Sequence, residues 1–388
     1  MWPFKKKKVE ERAGGSSWDA LSGLSTGTGT LVNARIAENL STVLACVNAI
    51  SSALASLPAY VYRLEAGGRA IDESHPLMDL ILAGPNQWQS WPDWVEWLMA
   101  QVLLRGNALS EIVLDGSGRI VALRPIPWEW VSVQLLPSGR LAYDVVEITN
   151  IYGGTGRPRR LLEGEVFHLR DRTDDGLIGR SRLQRAAAVV AAGLNIQAFA
   201  SQLYLNGVNP SGVLTVDGKL SHETLTRLRE HFREAFARTR NAASAMVLDQ
   251  GVKWQSISVS PEDAELLASR KFSVEELCRL FQVPPPIIQD YGHNTFTNSE
   301  TAGRWFAQFT IAPWAQKIQA EFKRSIFSAA IRATHEIELD LSAFLRGDPE
   351  TRWKSHEIAV KNGILTVNEV RELEGWNPRP DGEIVPTV

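Results

Sequence analysis

The sequence predicts an α+β protein. Between residues 59 and 170, short runs of β-branched and aromatic residues such as AYVYRL and NALSEIVL are separated by turn signals such as DGSG, which is typical of antiparallel strands. After Gly176 the pattern changes to long helical segments. The 388 residues are 44% hydrophobic and 22% charged, which is enough for two or three core-forming regions of a globular protein.

The N-terminal part combines a predicted flexible arm with an uncharged helix. Residues 1–30 contain four consecutive lysines and a Gly/Ser/Thr-rich stretch, without the apolar core of a signal peptide. Residues 39–62 carry no charge over a length that could cross a bilayer. Their serines, together with Asn48 and Pro58, instead predict a buried helix followed by a strand. A peripheral membrane protein that uses residues 39–57 and the lysine arm stays an alternative.

A helix is predicted over residues 92–104, within the strand region. Ser90 and Asp93 have the spacing of a capping box. One face of this helix carries Trp94, Trp97, Leu98 and Val102. Tryptophans at helical spacing are more often core or subunit interface than a ligand platform, so we expect them to be packed.

Two long helices are predicted on either side of a compact α/β insert at 207–259. The first covers 182–205 and begins with a capping box of Ser181 and Gln184; its many alanines allow neighbouring helices to approach closely. The second begins after Ser260 and runs to about residue 282. The side chains predicted to pack in this helix pair are Ala188, Ala191, Ala192, Leu267, Val274 and Phe281.

The segment FQVPPPIIQDYGHNTFTNSETA, residues 281–302, follows the second helix. Its three consecutive prolines are expected to end that helix. A further helix is predicted from near Thr297, with Glu300 as its capping partner, to about residue 333. Pro313 should kink this helix, because proline removes a backbone donor and clashes with the preceding turn.

No arrangement of residues indicates catalysis. The three His-Glu pairs lack the second histidine of a zinc-protease motif, and Cys46 and Cys278 form no C-x-x-C spacing. Two cysteines this far apart fit a reducing compartment. We expect a protein that is not an enzyme and holds no cofactor or metal ion. The alternative is a metal-dependent nuclease that uses paired acids. These acids are Asp174, Asp175, Glu262 and Asp263.

Charge gives little indication of a nucleic-acid partner. The formal net charge is -3, so any contact with phosphate would be local or transient. The arginines between residues 157 and 185 are interleaved with acids. This mixture predicts a solvated or intersubunit salt-bridge surface.

Several segments, taken together and in order, resemble the portal proteins of tailed bacteriophages, specifically the HK97-type group. The segments are ASLPAYVYR, HPLMDLILAGPNQWQSW, LLRGNALSEIV, VFHLRDRTDDGLIGRSRL, LNGVNPSGVL, RKFSVEELCRLFQVPPPII, NSETAGRWFAQFTIAPWAQKI and NGILTVNEVRELEG. One departure is the stretch 177–181, where many relatives have Gly-Leu-Ser-Pro. It puts the local turn in doubt.

The resemblance implies a portal fold with eight regions. They are a flexible arm (1–30), an α+β wing (31–180), a first stem helix (181–206), a clip (207–259), a second stem helix (260–282), a tunnel loop (283–298), a kinked wing helix with Pro313 (299–333) and a helical crown (334–388).

The resemblance also implies a function and partners. Portal proteins form a ring, usually of twelve copies, at one vertex of the capsid, and double-stranded DNA is packaged and ejected through its channel. The implied partners are further copies of the chain, DNA bound without sequence preference, the terminase large subunit, the major capsid and scaffold proteins, and the head-tail connector. No membrane is implied. The protein would assemble in the cytoplasm of the bacterial host and reside in the virion.

The tunnel loop would supply the residues that face DNA. They are Asp290, Tyr291, His293, Asn294 and Thr295. Residues 282–303 contain no lysine or arginine. Cations repeated around a ring would neutralise phosphates and retain the duplex, whereas polar and weakly acidic groups would let it slide.

Overall fold

Antiparallel strands and long helices make up the part of the chain that the computed structural model describes, which is residues 24–25, 30–147, 158–205, 212–216, 226, 252–256, 262–291, 296–342 and 349–382. The helices are α1 (Ala34–Ala37), α2 (Ser41–Ala55), α3 (Pro76–Ala83), α4 (Trp91–Arg105), α5 (Arg182–Arg185), α6 (Ala187–Leu205), α7 (Glu262–Phe281), α8 (Phe296–Trp305), α9 (Ala312–Ser325), α10 (Pro349–Lys361) and α11 (Val367–Leu373). The strands are β1 (Leu24–Ser25), β2 (Leu31–Val32), β3 (Ala59–Glu65), β4 (Gly68–Ile71), β5 (Asn107–Leu114), β6 (Ile120–Ile126), β7 (Val131–Leu135), β8 (Leu141–Val145), β9 (Arg159–Leu162), β10 (Val166–Arg170), β11 (Gly212–Val216), β12 (Val252–Ser256) and β13 (His335–Leu339).

The strands form small antiparallel sheets. Three sheets have three strands each, in the orders β10-β5-β6, β7-β8-β9 and β13-β3-β4, and two further pairs are β1-β2 and β11-β12. All strand pairs among the described residues are antiparallel. The predicted α+β class is therefore confirmed. Of the predicted insert at 207–259, the pair β11-β12 is described, and of the predicted helix the structure describes Thr226, which is helical.

Helix α2 lies in the main hydrophobic core and packs against α4 and α7. It is the helix predicted within residues 39–62, and β3 follows it as expected. Val43, Cys46 and Ile50 on α2 are completely buried. None of the helices in the described ranges combines the length and the apolar character needed to cross a bilayer.

Helix α4 has the predicted start and the predicted buried face. The backbone N–H of Asp93 donates to Ser90 Oγ at 3.4 Å, and the N–H of Ser90 donates to Asp93 Oδ2 at 3.1 Å. Trp94 is completely buried, and its indole N–H donates to Ser110 Oγ on β5. Gly106 ends the helix in the left-handed conformation, with φ of 83°. The tryptophans of α4 therefore include core residues.

A second, smaller core lies between the sheets of β5 and β8 and contains a buried polar network. His168 on β10 is 1% exposed. The hydroxyl of Tyr143 donates to Nδ1 of His168 at 3.0 Å, and the Nε2–H of His168 donates to Asn107 Oδ1 at 3.1 Å. The Asn107 amide in turn exchanges two hydrogen bonds with the backbone of Gly179. The stretch 177–181, where the turn was in doubt, is thus held by β5.

Two predicted helices differ in extent from those observed. The helix expected over 182–205 is interrupted at Ala186, whose backbone leaves the helical region with φ of -117° and ψ of 34°. Arg185 just before it donates to the carbonyl of Arg172, which ties the short α5 to the preceding loop. The helix expected to reach 333 ends at Ser325, and beyond it the side chain of Arg332 donates to the carbonyls of Arg324 and Phe327.

Pro313 directly follows a change in helix type. Helix α8 begins at Phe296, so Thr297 lies inside the helix instead of capping it. Between α8 and α9, residues Phe306–Ile311 form a π-helix. A proline at 313 has no N–H for the carbonyl four residues earlier and its ring crowds that carbonyl, so a widened turn before it accommodates both effects.

Strand β13 connects the C-terminal part of the chain to an early sheet. It pairs with β3 in register from His335 opposite Arg63 to Leu339 opposite Ala59. The first residues of the region predicted as the crown therefore hydrogen-bond to residues of the predicted wing.

The buried His168 should make stability depend on pH. Burial, followed by the charges of Arg170 and Arg324, holds the pKa of His168 well below its usual value. Below about pH 6.5 the unfolded chain binds a proton that the folded chain does not, so this residue lowers the free energy of unfolding by up to about 1.4 kcal/mol per pH unit. Urea titrations from pH 7.5 to 5 give the free energy of unfolding at each pH. In His168→Gln, the slope of this free energy against pH should be smaller by the equivalent of about one proton. Equal slopes for both proteins would contradict the assignment.

Candidate functional site

Helix α7 ends one turn before the prolines, by a backbone motif. Gln282 adopts the left-handed conformation, with φ of 61°. Its N–H donates to the carbonyl of Arg279 at 3.2 Å, and the N–H of Val283 donates to the carbonyl of Cys278 at 3.0 Å. This is a Schellman motif with glutamine at the position that glycine usually occupies. The expectation that the prolines themselves end the helix is therefore corrected.

The prolines build a short structured base for the loop that follows. Pro285–Ile288 form a 3₁₀ turn, and Ile287 and Ile288 pack against the main core. Gln289 closes the turn in a second left-handed conformation, with φ of 67°. Proline fixes φ at about −65°, which suits a 3₁₀ turn, and it also restricts the residue before it, so the turn is stiff. The chain therefore enters the loop from an anchored position.

Of the predicted tunnel loop 283–298, the described residues are 283–291 and 296–298, and the last three belong to α8. Asp290 is half-buried, and Tyr291 is 60% exposed. His293, Asn294 and Thr295 lie outside the described residues. Asp290 and the exposed Tyr291 therefore form a polar and aromatic surface directly after the anchored turn.

Arg182 joins the end of α7 to two other elements. Its guanidinium donates to the carbonyl of Phe281 at 2.9 Å and pairs with Asp171 Oδ2 at 3.2 Å. It also lies over the ring of Trp314 on α9, 5.5 Å from the ring centroid. The Arg182 and Asp171 side chains are only 14% and 9% exposed. Arg182 therefore caps the helix dipole of α7 from the start of α5.

A further contact fastens the same helix end to the helix that follows the loop. The hydroxyl of Thr310, in the π-helix, donates to the carbonyl of Gln282. The carbonyls of Phe281 and Gln282 therefore both accept hydrogen bonds from residues outside α7. The sequence predicts Arg182 within a solvated or intersubunit salt-bridge surface and does not indicate the contacts of Thr310 and Gln282. An arginine that follows a capping serine carries no local signal for a contact 99 positions away.

The predicted packing residues of the helix pair divide into two faces. Ala191 and Phe281 are buried, and Val274 is partly buried against the main core. Ala188 and Ala192, four positions apart on α6, are exposed. The side chain of Leu267 lies outside the described residues. One face of α6 therefore packs within the chain, and the other presents small side chains to the outside.

Gly193 marks a close approach of α6 to α7 and to Leu40. A Cβ atom at this position would lie 3.0 Å from Ser273 Oγ on α7 and 3.3 Å from a methyl carbon of Leu40. A glycine in the middle of a helix costs about 1 kcal/mol relative to alanine. Close packing against α7 is the physical reason to have it here.

The paired acids have structural partners where they are described. Asp174 pairs with Arg185 at 2.7 Å and with Arg180 at 3.3 Å. Asp175 Oδ1 accepts from the backbone N–H groups of Leu177 and Ile178. The Arg185 hydrogen bond lowers the pKa of Asp174, and the backbone donors lower the pKa of Asp175. The side chains of Glu262 and Asp263 lie outside the described residues.

Removing Arg182 should destabilise the protein far more than removing the neighbouring Arg180. Arg182→Gln leaves Asp171 buried without its charged partner and should lower the free energy of unfolding by about 3–5 kcal/mol. Arg180→Gln breaks an exposed pair and should cost at most about 1 kcal/mol. Urea titrations at one fixed protein concentration measure both. Asp171→Asn added to Arg182→Gln should recover part of the loss. Equal losses for the two single variants would show that Arg182 has no special role.

Comparison with known proteins identifies the family of this chain. The family model described as "Phage portal protein" matches residues 41–375, well over half of the chain. The chain is 29% identical over 365 residues to the probable portal protein of Streptomyces phage phiC31, covering 92% of this chain and 78% of that protein. It is 27% identical over 350 residues to the portal protein of Enterobacteria phage HK97, covering 89% and 80%.

A solved structure shows the same fold. It is the neck of a native gene transfer agent (GTA) particle, computed with C12 symmetry. A chain of that neck matches with a TM-score of 0.59 and 23% identity, covering 89% of this chain and 92% of the matched chain. With the family match, the two phage relatives and the shared fold together, the chain belongs to the HK97-type group of the phage portal protein family.

Proposed function

We propose that copies of this chain form a closed ring at one capsid vertex and that double-stranded DNA is packaged and ejected through its central channel. The single observation that carries this proposal is the match to the portal family over residues 41–375. The C12 symmetry of the neck that shares its fold supports twelve copies. The protein acts as a structural conduit and not as an enzyme.

The outer face of the helix pair α6 and α7 supplies the lateral contacts of the ring. Ala188 and Ala192 are small and exposed, and exposed aromatic side chains lie on both helices, at Phe199 and Phe272. Small residues let helices approach closely, and aromatic residues are enriched in protein interfaces. A head-to-tail arrangement of such copies closes into a ring if the rotation between them is right. In this assignment 181–206 and 260–282 are the stem.

Residues 283–298, of which 296–298 begin α8, contain the tunnel loop, which is anchored at its base by Pro285–Ile288. The absence of lysine and arginine over 282–303 keeps the loop from binding the phosphate backbone. Asp290, Tyr291, His293, Asn294 and Thr295 are the residues that face the duplex. The anchored turn, the Arg182 cap and the Thr310 hydrogen bond hold the base of the loop in place while DNA passes.

The remaining regions meet the other components of the particle. Residues 31–180 and 299–333, with Pro313 in the latter, form the wing, which contacts the major capsid and scaffold proteins. The clip at 207–259 docks the terminase large subunit and later the head-tail connector. Residues 334–388 form the crown. Rings assemble in the cytoplasm of the bacterial host and are incorporated into the virion.

Enlarging one exposed alanine of the stem should prevent ring formation without unfolding the chain. Ala192→Leu adds volume where a neighbouring copy would pack, and should change the stability of the single chain by less than about 0.5 kcal/mol. Electron microscopy and native mass spectrometry should show rings for the wild-type protein and for Ala192→Ser, but few for Ala192→Leu. Rings of Ala192→Leu at the wild-type yield would contradict the stem interface. A wild-type protein that stays monomeric under packaging conditions would contradict the ring itself.

A positive charge in the loop should slow DNA translocation. Asn294→Lys and Thr295→Lys should still assemble into rings, because the loop lies outside the subunit interface. ATP-driven packaging by the terminase should slow by at least about twofold at low salt and recover as salt is raised, since the added attraction to phosphate is screened. Asn294→Gln and Thr295→Ser are the neutral controls. Lysine variants that package at the control rate at low salt would show that these residues do not face DNA.

A further inference from the structure

Three titratable side chains meet where strand β13 lies beside the start of helix α3. Asp72 follows β4, His75 precedes α3, and His335 is the first residue of β13. Nε2 of His335 lies 3.2 Å from Oδ2 of Asp72, and both side chains are 12% exposed. The ring centroids of His75 and His335 are 5.7 Å apart. We call these three residues the histidine cluster.

His75 caps helix α3 with a nitrogen lone pair. Its Nδ1 accepts a hydrogen bond from the backbone N–H of Leu77 at 3.1 Å. Pro76 has no N–H, so the N–H of Leu77 is the first backbone donor that this helix offers. An imidazole that carries a proton on both nitrogens has no acceptor left. The cap therefore exists only while Nδ1 of His75 is unprotonated.

We propose that the histidine cluster is a pH-sensitive switch, in which neutral His75 holds the start of α3 in contact with β13 and protonation of His75 releases this contact. The proton comes from solvent, enters at Nδ1 and replaces the hydrogen bond from Leu77. Two further effects then oppose the closed arrangement. The new charge lies at the positive end of the dipole of α3, and it faces the ring of a second histidine, His335.

The surroundings of His75 favour its neutral form. Phe327 is 1% exposed, and its ring meets the ring of His75 edge-on, with the centroids 5.4 Å apart, which removes water from that side. Burial, followed by the charge of His335, lowers the pKa of His75, and the charge of Asp72 acts in the opposite direction. Asp72 is itself held by Ser74, whose hydroxyl donates to Oδ1 at 2.6 Å.

The other charged groups of these elements face solvent or have partners of their own. Glu73 and Asp79 are exposed. Arg63, opposite His335 in the sheet, pairs with an acid of its own strand, and Glu336 pairs with an arginine of β4. Arg332 donates to two backbone carbonyls. The charges that act on His75 are therefore those of Asp72 and His335.

Acid should open the cluster, because the folded protein keeps His75 neutral. Below about pH 6.5 the unfolded chain binds a proton at this residue that the closed cluster excludes. The closed arrangement therefore loses stability as the pH falls towards the lowered pKa of His75. Below that pKa, the start of α3 and β13 separate.

Hydrogen exchange followed by mass spectrometry tests the switch in the full-length protein. Exchange is measured at about pH 7.5 and about pH 5 and is corrected for its intrinsic dependence on pH. In the wild-type protein, the protection of residues 76–83 and of residues 335–339 should fall on acidification. Both should fall by at least about threefold more than the protection of residues 91–105 on α4.

Matched variants separate the cap from the contact between the two rings. His75→Asn should keep the wild-type protection at neutral pH and lose the additional acid sensitivity, because asparagine caps a helix and does not titrate. His75→Ala has no acceptor at either pH, so residues 76–83 should exchange fast already at neutral pH. His335→Gln should show a smaller acid effect on residues 76–83, because the repulsion is gone while the cap still depends on Nδ1 of His75.

Three outcomes would overturn the proposal. One is that the wild-type protein and His75→Asn lose the same protection on acidification. Another is that residues 76–83 open at low pH while residues 335–339 keep their protection, which would show a cap that is not coupled to β13. The third is that His335→Gln has the acid sensitivity of the wild-type protein, since the two rings would then not act on each other.

Discussion

The contact of Arg182 with the end of α7 is the interaction on which the arrangement of the site depends. A helix that ends inside a protein leaves carbonyl groups without partners, and burying them is costly unless a donor is supplied. Arg182 supplies that donor at 2.9 Å from the carbonyl of Phe281. Its own charge is buried, and the ion pair with Asp171 compensates for this. The end of strand β10, the start of α5, the end of α7 and helix α9 are thereby joined at one guanidinium group.

The contacts of Arg182 fix the start of the loop that follows α7, although residues 282–303 contain no lysine or arginine. In the proposed DNA conduit the loop must not bind phosphate, so it would not use cations of its own to fix its position. The structure instead places the cation behind the loop, where Arg182 faces backbone carbonyls and Asp171. The turn Pro285–Ile288 adds stiffness without charge, and Thr310 adds a neutral hydrogen bond. Anchoring and sliding are therefore assigned to different residues.

The strands that lead to Arg182 are fixed by a second buried polar network. Asn107 holds Gly179 from β5 and is itself bound by His168. Gly179 has to be glycine, because a Cβ atom there would lie 2.0 Å from the carbonyl oxygen of Gly106. The close approach of Gly179 to Gly106 sets where the chain enters α5. A polar network that is fully satisfied in this way favours one arrangement of the core over others.

The sequence by itself determined the elements whose signals act over three or four residues. The capping box of Ser90 and Asp93 and the alternation of β3 are examples, because each depends only on neighbours in the chain. The family also followed from short segments in order. The folded arrangement alone shows that Arg182 contacts the end of α7, that Gln282 ends this helix, and that Cys46 and Cys278 share one core. These outcomes depend on groups tens to hundreds of positions away, or on a backbone conformation that glutamine rarely adopts, and neither leaves a local pattern.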